Sequence, residues 1–497
     1  MKNISLIIGI VFLLSCSSSF KTPFEQNNFS ELTSYDEMIN FIKNVSSSSG
    51  IIDLQYLGET AEGRQIPYLL ISKHQLESDE SKIKVMVFAD QHGNEQSGKE
   101  GALLLLAEIA NGNLDYLFDE IDLILIPDAN PDGSMQDQRR NANGADLNRN
   151  HLILTENETI GLHKLFNKYL PEATLDVHEY SPYSNDWIEF GTIKNFDEQI
   201  GAVSNPNVSR QIKNFTRAQY IPFITDYLED AGFTSHEYLL EGPPNKGRIR
   251  LSTFDINDGR QSFGSLNTFS IIMEGKNGHE SLDNIKHRAE GQYTGMKGFL
   301  EFVYQNKDEI KLLVEHERQK LIDSKPGEKV AIQMEHAGDG SELNLTLLSV
   351  SSNNDTVVVV KNYTPVIEPL LEVEKPVGYL VPKSNPDLSN WVQLHNIITT
   401  ELPHMQNSEI IRYIITAVDS LNFEGDMVIK PSVKTEVVNA KINLSDYYFI
   451  PTNQLYSNII VQALEPQSEI GLATYKEYEY LVRKDEAYPI MKIVIAK

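Results

Sequence analysis

The stretch Ile83-Lys-Val-Met-Val-Phe-Ala-Asp-Gln-His-Gly-Asn-Glu95 decides how the chain is read. Its apolar first half predicts a buried strand over Ile83–Ala89, and the turn that follows carries side chains fit for chemistry. The pattern recurs along the chain. Ile121–Ile126 runs into Pro127-Asp-Ala-Asn-Pro-Asp-Gly133, Ala173–Val177 leads to His178-Glu-Tyr180, and Phe269–Met273 ends at Glu274-Gly275. Helical patterns alternate with these strands at Gly98–Ala110, Thr159–Leu170, Val208–Ala231 with a kink at Pro222, and Leu282 to about Ser324. Such alternation predicts an α/β fold, a mixed open sheet with covering helices. Ligands of open α/β sheets sit outside the carboxyl ends of the strands, so these polar strand ends point to one shared site. Beyond Lys325-Pro-Gly327 the texture changes to β runs such as Asp355-Thr-Val-Val-Val-Val360, with a single helical stretch near Leu388–Asn396. The expected organisation is therefore an α/β domain over 34–325 followed by a β-rich C-terminal domain over 326–497.

Composition narrows the class. A chain of 497 residues with 40% hydrophobic and 23% charged residues has ample material for buried cores and is neither disordered nor fibrous. Seventy Asp and Glu against 43 Lys and Arg give a net charge of -27, which repels polyanions and argues against a nucleic-acid partner. One cysteine, Cys16, excludes an internal disulfide and any cysteine-built metal site.

Cys16 closes a distinctive beginning. Lys2 is followed by an apolar run over Ile4–Leu14 and then Ser15-Cys16. At about 1.5 Å rise per residue that run covers only about half of a bilayer core, the length of a signal-peptide apolar region and too short for a spanning helix. Leu13-Leu-Ser-Cys16 resembles the lipobox of bacterial lipoproteins, which implies lipidation of Cys16, a membrane anchor and a place in the bacterial cell envelope. Residues 17–33, rich in Ser and Asn, have the composition of a flexible tether.

His92 and Glu95 stand three apart in the turn after the first strand, and His178 follows another. Two His and one Glu with an open fourth position is a catalytic zinc arrangement, whereas a structural site would be closed by four protein ligands. Alone, His-x-x-Glu is a weak signal. Read together, His92-x-x-Glu95, Asn130-Pro-Asp-Gly133, Arg139-x-Asn141, Asp146-Leu-Asn-Arg149, His178-x-Tyr180 and Glu274 resemble, in order, the zinc metallocarboxypeptidases of the superfamily containing carboxypeptidases A, B and E. The resemblance spans roughly residues 35–325.

It implies one zinc per catalytic domain on His92, Glu95 and His178, Glu274 as general base and Arg139 as the group that stabilises the tetrahedral oxyanion. It further implies that Asn148 and Arg149 hold the terminal carboxylate of a peptide substrate and that Tyr180 lines the adjoining subsite. Arg140 competes with Arg139 for the oxyanion role, and the spacing to Asn141 favours Arg139. Asn130-Pro-Asp-Gly133 is expected to shape its loop without touching substrate. His151, His163, His236, His279 and His287 are expected to be ordinary packed or surface histidines, with His151 the least settled because it follows Arg149-Asn150 directly.

One departure stands out. Family members place a tyrosine on a mobile loop before the glutamate, whereas Gly242–Met273 contains none and offers only Phe254 and Phe263 as covers. The same stretch holds Arg248, Arg250 and Arg260, which suggests a pocket for acidic or cell-wall-type peptides, against simple pairing with Asp255, Asp258 and other local acids. Two other functions stay open at this stage: a zinc deacylase of N-acyl amino acids, whose sites share the His-x-x-Glu and Asn-Arg elements, and a non-catalytic surface lipoprotein that binds peptide or glycan.

Overall fold

Along Ile83–Ala89 the side chains of Val85, Val87 and Ala89 join one apolar cluster and those of Met86 and Phe88 another, and all five are buried. A strand covered on both faces needs neighbours on both edges and a layer on each side. In the computed structural model both are present. It describes residues 19–496 apart from 75, 77, 78, 403–406, 424, 425 and 440; Cys16 lies outside the described residues.

Eight strands form the central sheet: β1 (Ile52–Glu59), β2 (Gln65–Ile71), β3 (Ile83–Ala89), β4 (Ile121–Ile126), β5 (Ala173–Tyr180), β6 (Glu198–Ala202), β7 (Ser235–Glu237) and β8 (Phe269–Lys276), in the order β1-β2-β4-β3-β5-β8-β6-β7. The four central strands β4, β3, β5 and β8 run parallel. Antiparallel joins bring in β2 and β1 on one side and β6 on the other. The mixed open sheet expected from the sequence is thus present. From β3 the chain moves outward to β4 and then returns past β3 to β5, so the carboxyl ends of β3 and β5 flank the point where the winding reverses, the usual ligand position in such sheets.

The helices Gln96–Ala110 and Ile285–Gln305 cover the face bearing Val85 and Val87. The helix Asn157–Tyr169 covers part of the opposite face. Phe254, Ile256, Phe263 and Leu266 cover more of it, Phe263 edge-on to Phe88 at 5.8 Å, and the C-terminal region completes the cover: Val330, Ile332, Trp391 and Ile460 belong to the same apolar cluster as Met86, Phe88, Ile124 and Ile126. Short ladders also join the two regions, Leu343–Ser349 to Thr192–Ile193 and Ile249–Leu251 to Tyr363–Thr364. The change in texture near residue 325 is real, but a shared core crosses it. Beyond it lies a five-stranded sheet in the order Asp426–Val437, Ser408–Phe423, Ala487–Ile495, Gly378–Pro382, Tyr447–Pro451, with the helix Pro386–Leu394 beside it.

Three expectations need correction. The pattern over Leu282–Ser324 is two helices, Ile285–Gln305 and Lys307–Ile322, because Asn306 leaves helical geometry and its side chain donates to the Phe302 carbonyl at 2.8 Å. The single helix expected over Val208–Ala231 is divided into Arg210–Phe215, a widened π turn over Thr216–Tyr220 and Ile221–Asp230, the turn accommodating the hydrogen bond that Pro222 cannot donate. The tether expected over 17–33 is folded from residue 19 onward. Thr22 and Glu25 form a capping box, Phe24 is buried against Ile285 and Ala289, and the Thr33 amide donates to Glu100 Oε1 at 2.6 Å.

Phe299 is fully buried between the sheet and the helix Ile285–Gln305, 6.0 Å from the Phe269 ring. Phe299→Ala should cost about 3–5 kcal/mol and lower the urea midpoint of unfolding without changing its slope.

Candidate metal centre and active site

The loop after β3 is held by close backbone packing. Gly93 lies so near the Gly133–Ser134 peptide that a Cβ there would collide with it. Asn130, the N-cap of the helix Pro131–Gln136, accepts from the Gly133 amide through Oδ1 at 3.0 Å, and its Nδ2 donates to the Gln91 carbonyl at 3.0 Å. The Asn-Pro-Asp-Gly turn therefore braces the loop that presents His92.

His92, Glu95 and His178 converge, with one ligand atom from each lying within 4.8 Å of the others. His92 Nδ1 is 2.8 Å from Glu95 Oε1, and His178 Nδ1 is 2.9 Å from Glu95 Oε2. Each imidazole is held from behind through Nε2, His92 by Asp146 Oδ1 at 3.0 Å and His178 by Asp176 Oδ1 at 2.8 Å. A carboxylate behind Nε2 keeps that nitrogen protonated and leaves the lone pair on Nδ1, the form that binds a cation. Two imidazole nitrogens and one carboxylate brought together in this way suit zinc. Burial would raise Glu95 and Asp146, yet His92 and His178 hold Glu95 well below the usual carboxylate range, and His92 with Arg139 does the same for Asp146.

Glu274 on β8 is paired in register with His178 on the neighbouring β5, which sets it beside the metal point. Burial raises its carboxyl pKa, opposed by His178 and by a hydrogen bond from Tyr238. Lys194 is also near. It is buried, donates to the Leu239 carbonyl at 2.9 Å and lies over the Tyr180 ring; burial pushes it down to about 8, opposed by the Glu274 charge.

Arg139 reaches the centre, with Nη1 3.4 Å from Glu95 Oε1 and Nε donating to Asp146 Oδ2 at 3.0 Å. Arg140 turns away to the Gly144 carbonyl. Asn148 accepts the Gly259 amide through Oδ1 at 2.8 Å, and Arg149 donates to the Asn148 carbonyl. Arg139 and Arg149 border a cleft of about 900 Å³ whose walls include Asn257 on one side and Tyr475 and Glu477 of the C-terminal region on the other.

Other expectations change. The Tyr180 side chain is buried and its hydroxyl donates to the Phe196 carbonyl at 2.6 Å, so that hydroxyl is not offered to a ligand. Arg248 pairs with Glu335 at 2.8 Å, Arg250 with Glu241 at 2.8 Å, and the fully buried Arg260 with Asp258 at 3.2 Å. Ion pairing explains all three; Glu241 and Asp258 are local acids, whereas Glu335 comes from far along the chain. Phe254 and Phe263 are core residues, Phe263 stacking on Phe166 at 4.4 Å.

Sequence reasoning passed over the roles of Asp176, Asp146, Tyr238 and Lys194. Asp176 had a readable signal, since a residue two before His178 on a strand shares its face. Tyr238 and Lys194 had none, because both reach Glu274 through tertiary packing.

Residues 38–209 match the zinc carboxypeptidase family model, and the chain carries a zinc carboxypeptidase domain. Carboxypeptidase 2 of Trichophyton rubrum is 25% identical over 475 residues, 92% of this chain and 86% of that protein, so the likeness runs into the C-terminal region. The catalytic chain of carboxypeptidase N from Homo sapiens is 30% identical over 135 residues, 23% of this chain and 30% of that protein. Among solved structures, a metallo-carboxypeptidase from Burkholderia cenocepacia aligns with a TM-score of 0.43 at 18% identity, over 55% of this chain and 69% of that one.

Asp146→Ala leaves the His92 Nε2 proton without its acceptor. Zinc affinity measured by chelator competition should fall about 10–100-fold.

Proposed function

We propose that this zinc metallocarboxypeptidase removes the C-terminal residue of peptides by hydrolysis and works from the bacterial cell envelope, tethered through a lipid on Cys16. The observation that carries the catalytic part is the adjacency of His178 and Glu274 on paired strands, with the Nδ1 atoms of His92 and His178 turned to the same point as Glu95. Zinc bound there supplies Lewis acidity, which polarises the scissile carbonyl and brings the pKa of an attacking water toward about 7.

The chain's own residues do the remaining work in this reading. Glu274 accepts the proton of the attacking water and delivers it to the leaving amine. Its raised pKa brings it closer to the range in which a carboxylate exchanges protons efficiently, and Tyr238 orients it. Arg139 places a guanidinium where negative charge develops on the carbonyl oxygen, held ready by Asp146. Arg149 and the side-chain NH₂ of Asn148 receive the terminal carboxylate at the edge of the cleft, a task suited to a planar guanidinium that bonds two oxygens at once.

A preference for acidic or cell-wall-type peptides loses its original support, since Arg248 and Arg250 are engaged by Glu241 and Glu335. Stem-peptide fragments therefore belong in a substrate panel as one class among several. The deacylase reading is separated by the same panel, because it requires turnover of small N-acyl amino acids.

Lipid anchoring rests on the run Ile4–Leu14 followed by Leu13-Leu-Ser-Cys16. A single acyl chain holds a protein only marginally, so a stable anchor needs more than one. Among the described residues no helix is long and apolar enough to cross a membrane.

Glu274→Gln should lower kcat/KM on a C-terminally free peptide by about 10²–10⁴-fold with zinc content unchanged, and C-terminal amidation should abolish cleavage by the parent enzyme. Retained turnover in Glu274→Gln would remove the base assignment. In a bacterial host, Cys16→Ser should move the protein from the membrane fraction to the soluble fraction.

A further inference from the structure

Behind the metal-facing ring of His178 a line of hydrogen bonds continues into the protein. Asp176 Oδ1 accepts from His178 Nε2 at 2.8 Å and from Gln91 Nε2 at 2.8 Å. Gln91 Oε1 lies 2.7 Å from His151 Nε2, and His151 Nδ1 lies 3.1 Å from His163 Nε2. His151 and His163 are buried and touch no part of the metal point.

The direction of every bond in this line is fixed by chemistry. A carboxylate only accepts, so Gln91 must present its amide NH₂ to Asp176 and its oxygen to His151. His151 then carries its proton on Nε2 and offers a lone pair on Nδ1, which requires a proton on His163 Nε2. The remaining nitrogen, His163 Nδ1, is buried without a partner, as an unprotonated ring nitrogen tolerates better than an N–H would. The donors therefore all run the same way, from His163 through His151 and Gln91 to Asp176, and His178 donates to that carboxylate from the metal side.

The far end is clamped from the C-terminal region. Trp391 Nε1 and His395 Nε2 both donate to the Leu152 carbonyl, at 2.9 and 2.7 Å, one residue beyond His151. The His395 ring stands edge-on to His163 at 5.3 Å, and the His151 amide donates to the Asn257 carbonyl at 3.2 Å.

We propose that His151 and His163 are positioning residues of the zinc centre, that they hold Gln91 and Asp176 so that His178 keeps its proton on Nε2 and its lone pair on Nδ1, and that Trp391 and His395 lock this line from the C-terminal region. The proposal rests on the zinc reading of His92, Glu95 and His178. It gives the region beyond residue 325 a part in metal binding without any contact with the metal. Burial lowers His151 to about 4 and His395 to about 4, and carries His163 well below the ordinary histidine range, so all three are neutral near pH 7. A second proton on His151 would turn two N–H groups toward each other and break the line.

The test uses full-length protein and reads the zinc dissociation constant by chelator competition, the visible absorption of the Co²⁺-substituted form, and thermal unfolding of the metal-free form. His151→Phe keeps an aromatic ring, somewhat larger, and removes both nitrogens; it should weaken zinc about 10-fold or more and alter the Co²⁺ spectrum while the metal-free protein still unfolds cooperatively. His151→Gln retains a donor for Gln91 Oε1 and should recover most of the loss, which a merely space-filling role for His151 would not produce. His395→Phe should give a smaller loss of the same sign. If His151→Phe does not fold, Gln91→Met interrupts the same line at its next member and carries the same expectation. Parent-like zinc affinity and Co²⁺ spectrum in the folded variant overturn the proposal alone, whereas failure of the parent protein to take up zinc overturns the metal reading on which it rests.

Discussion

Two imidazoles and four carboxylates, those of His92, His178, Glu95, Asp146, Asp176 and Glu274, share a space from which bulk water is almost excluded. Charges removed from water persist only when each is matched by a partner, and here the matching is done pair by pair. Asp146 Oδ1 and Asp176 Oδ1 each accept an imidazole N–H, Glu95 stands between the two rings, and Glu274 is steadied by Tyr238. The fold serves this arrangement. Parallel β3, β5 and β8 bring the pieces to one end of the sheet, and the reversal of winding between β3 and β5 opens the space they occupy.

Much of this was legible in the residues. The apolar strand runs each ended in polar side chains, and the ordered set from His92-x-x-Glu95 to Glu274, rather than the spacing of His92, Glu95 and His178 alone, carried the resemblance that implied a zinc centre. What could not be read was whatever depends on distant segments meeting. Arg248 meets Glu335 from far along the chain, so the local acids Asp255 and Asp258 were misleading candidates for its partner. The Ser- and Asn-rich residues before 34 looked like a tether, yet Thr22-Pro-Phe-Glu25 contains a capping box and an aromatic anchor, a signal that composition averaged away. Conversely, the strand runs Asp355–Val360 and Ile121–Ile126 stand where the residues indicated, because alternation or continuous apolarity is a local property.

The change in texture near residue 325 shows how composition and folding can part company. Met86, Phe88, Ile124 and Ile126 make the second face of the sheet as apolar as the first, and the helix Asn157–Tyr169 is too narrow to cover it. The apolar residues that complete the cover arrive only with the C-terminal region, which also contributes Tyr475 and Glu477 to the cleft wall. The likeness to the fungal carboxypeptidase over most of both chains fits a unit in which the two regions are kept together.

The bond from Trp391 to the Leu152 carbonyl spans 239 residues of chain. Read as an order of events, that separation means that a polypeptide emerging from its amino end displays the metal-binding strands long before the helix Pro386–Leu394 exists to brace them. Until then part of the Met86 and Phe88 face stays open to water and to other chains, which is the interval in which such a protein most needs protection from aggregation. The finished scaffold is a late product of synthesis, and a chain cut short before residue 391 would carry every ligand of the centre and lack the brace behind it.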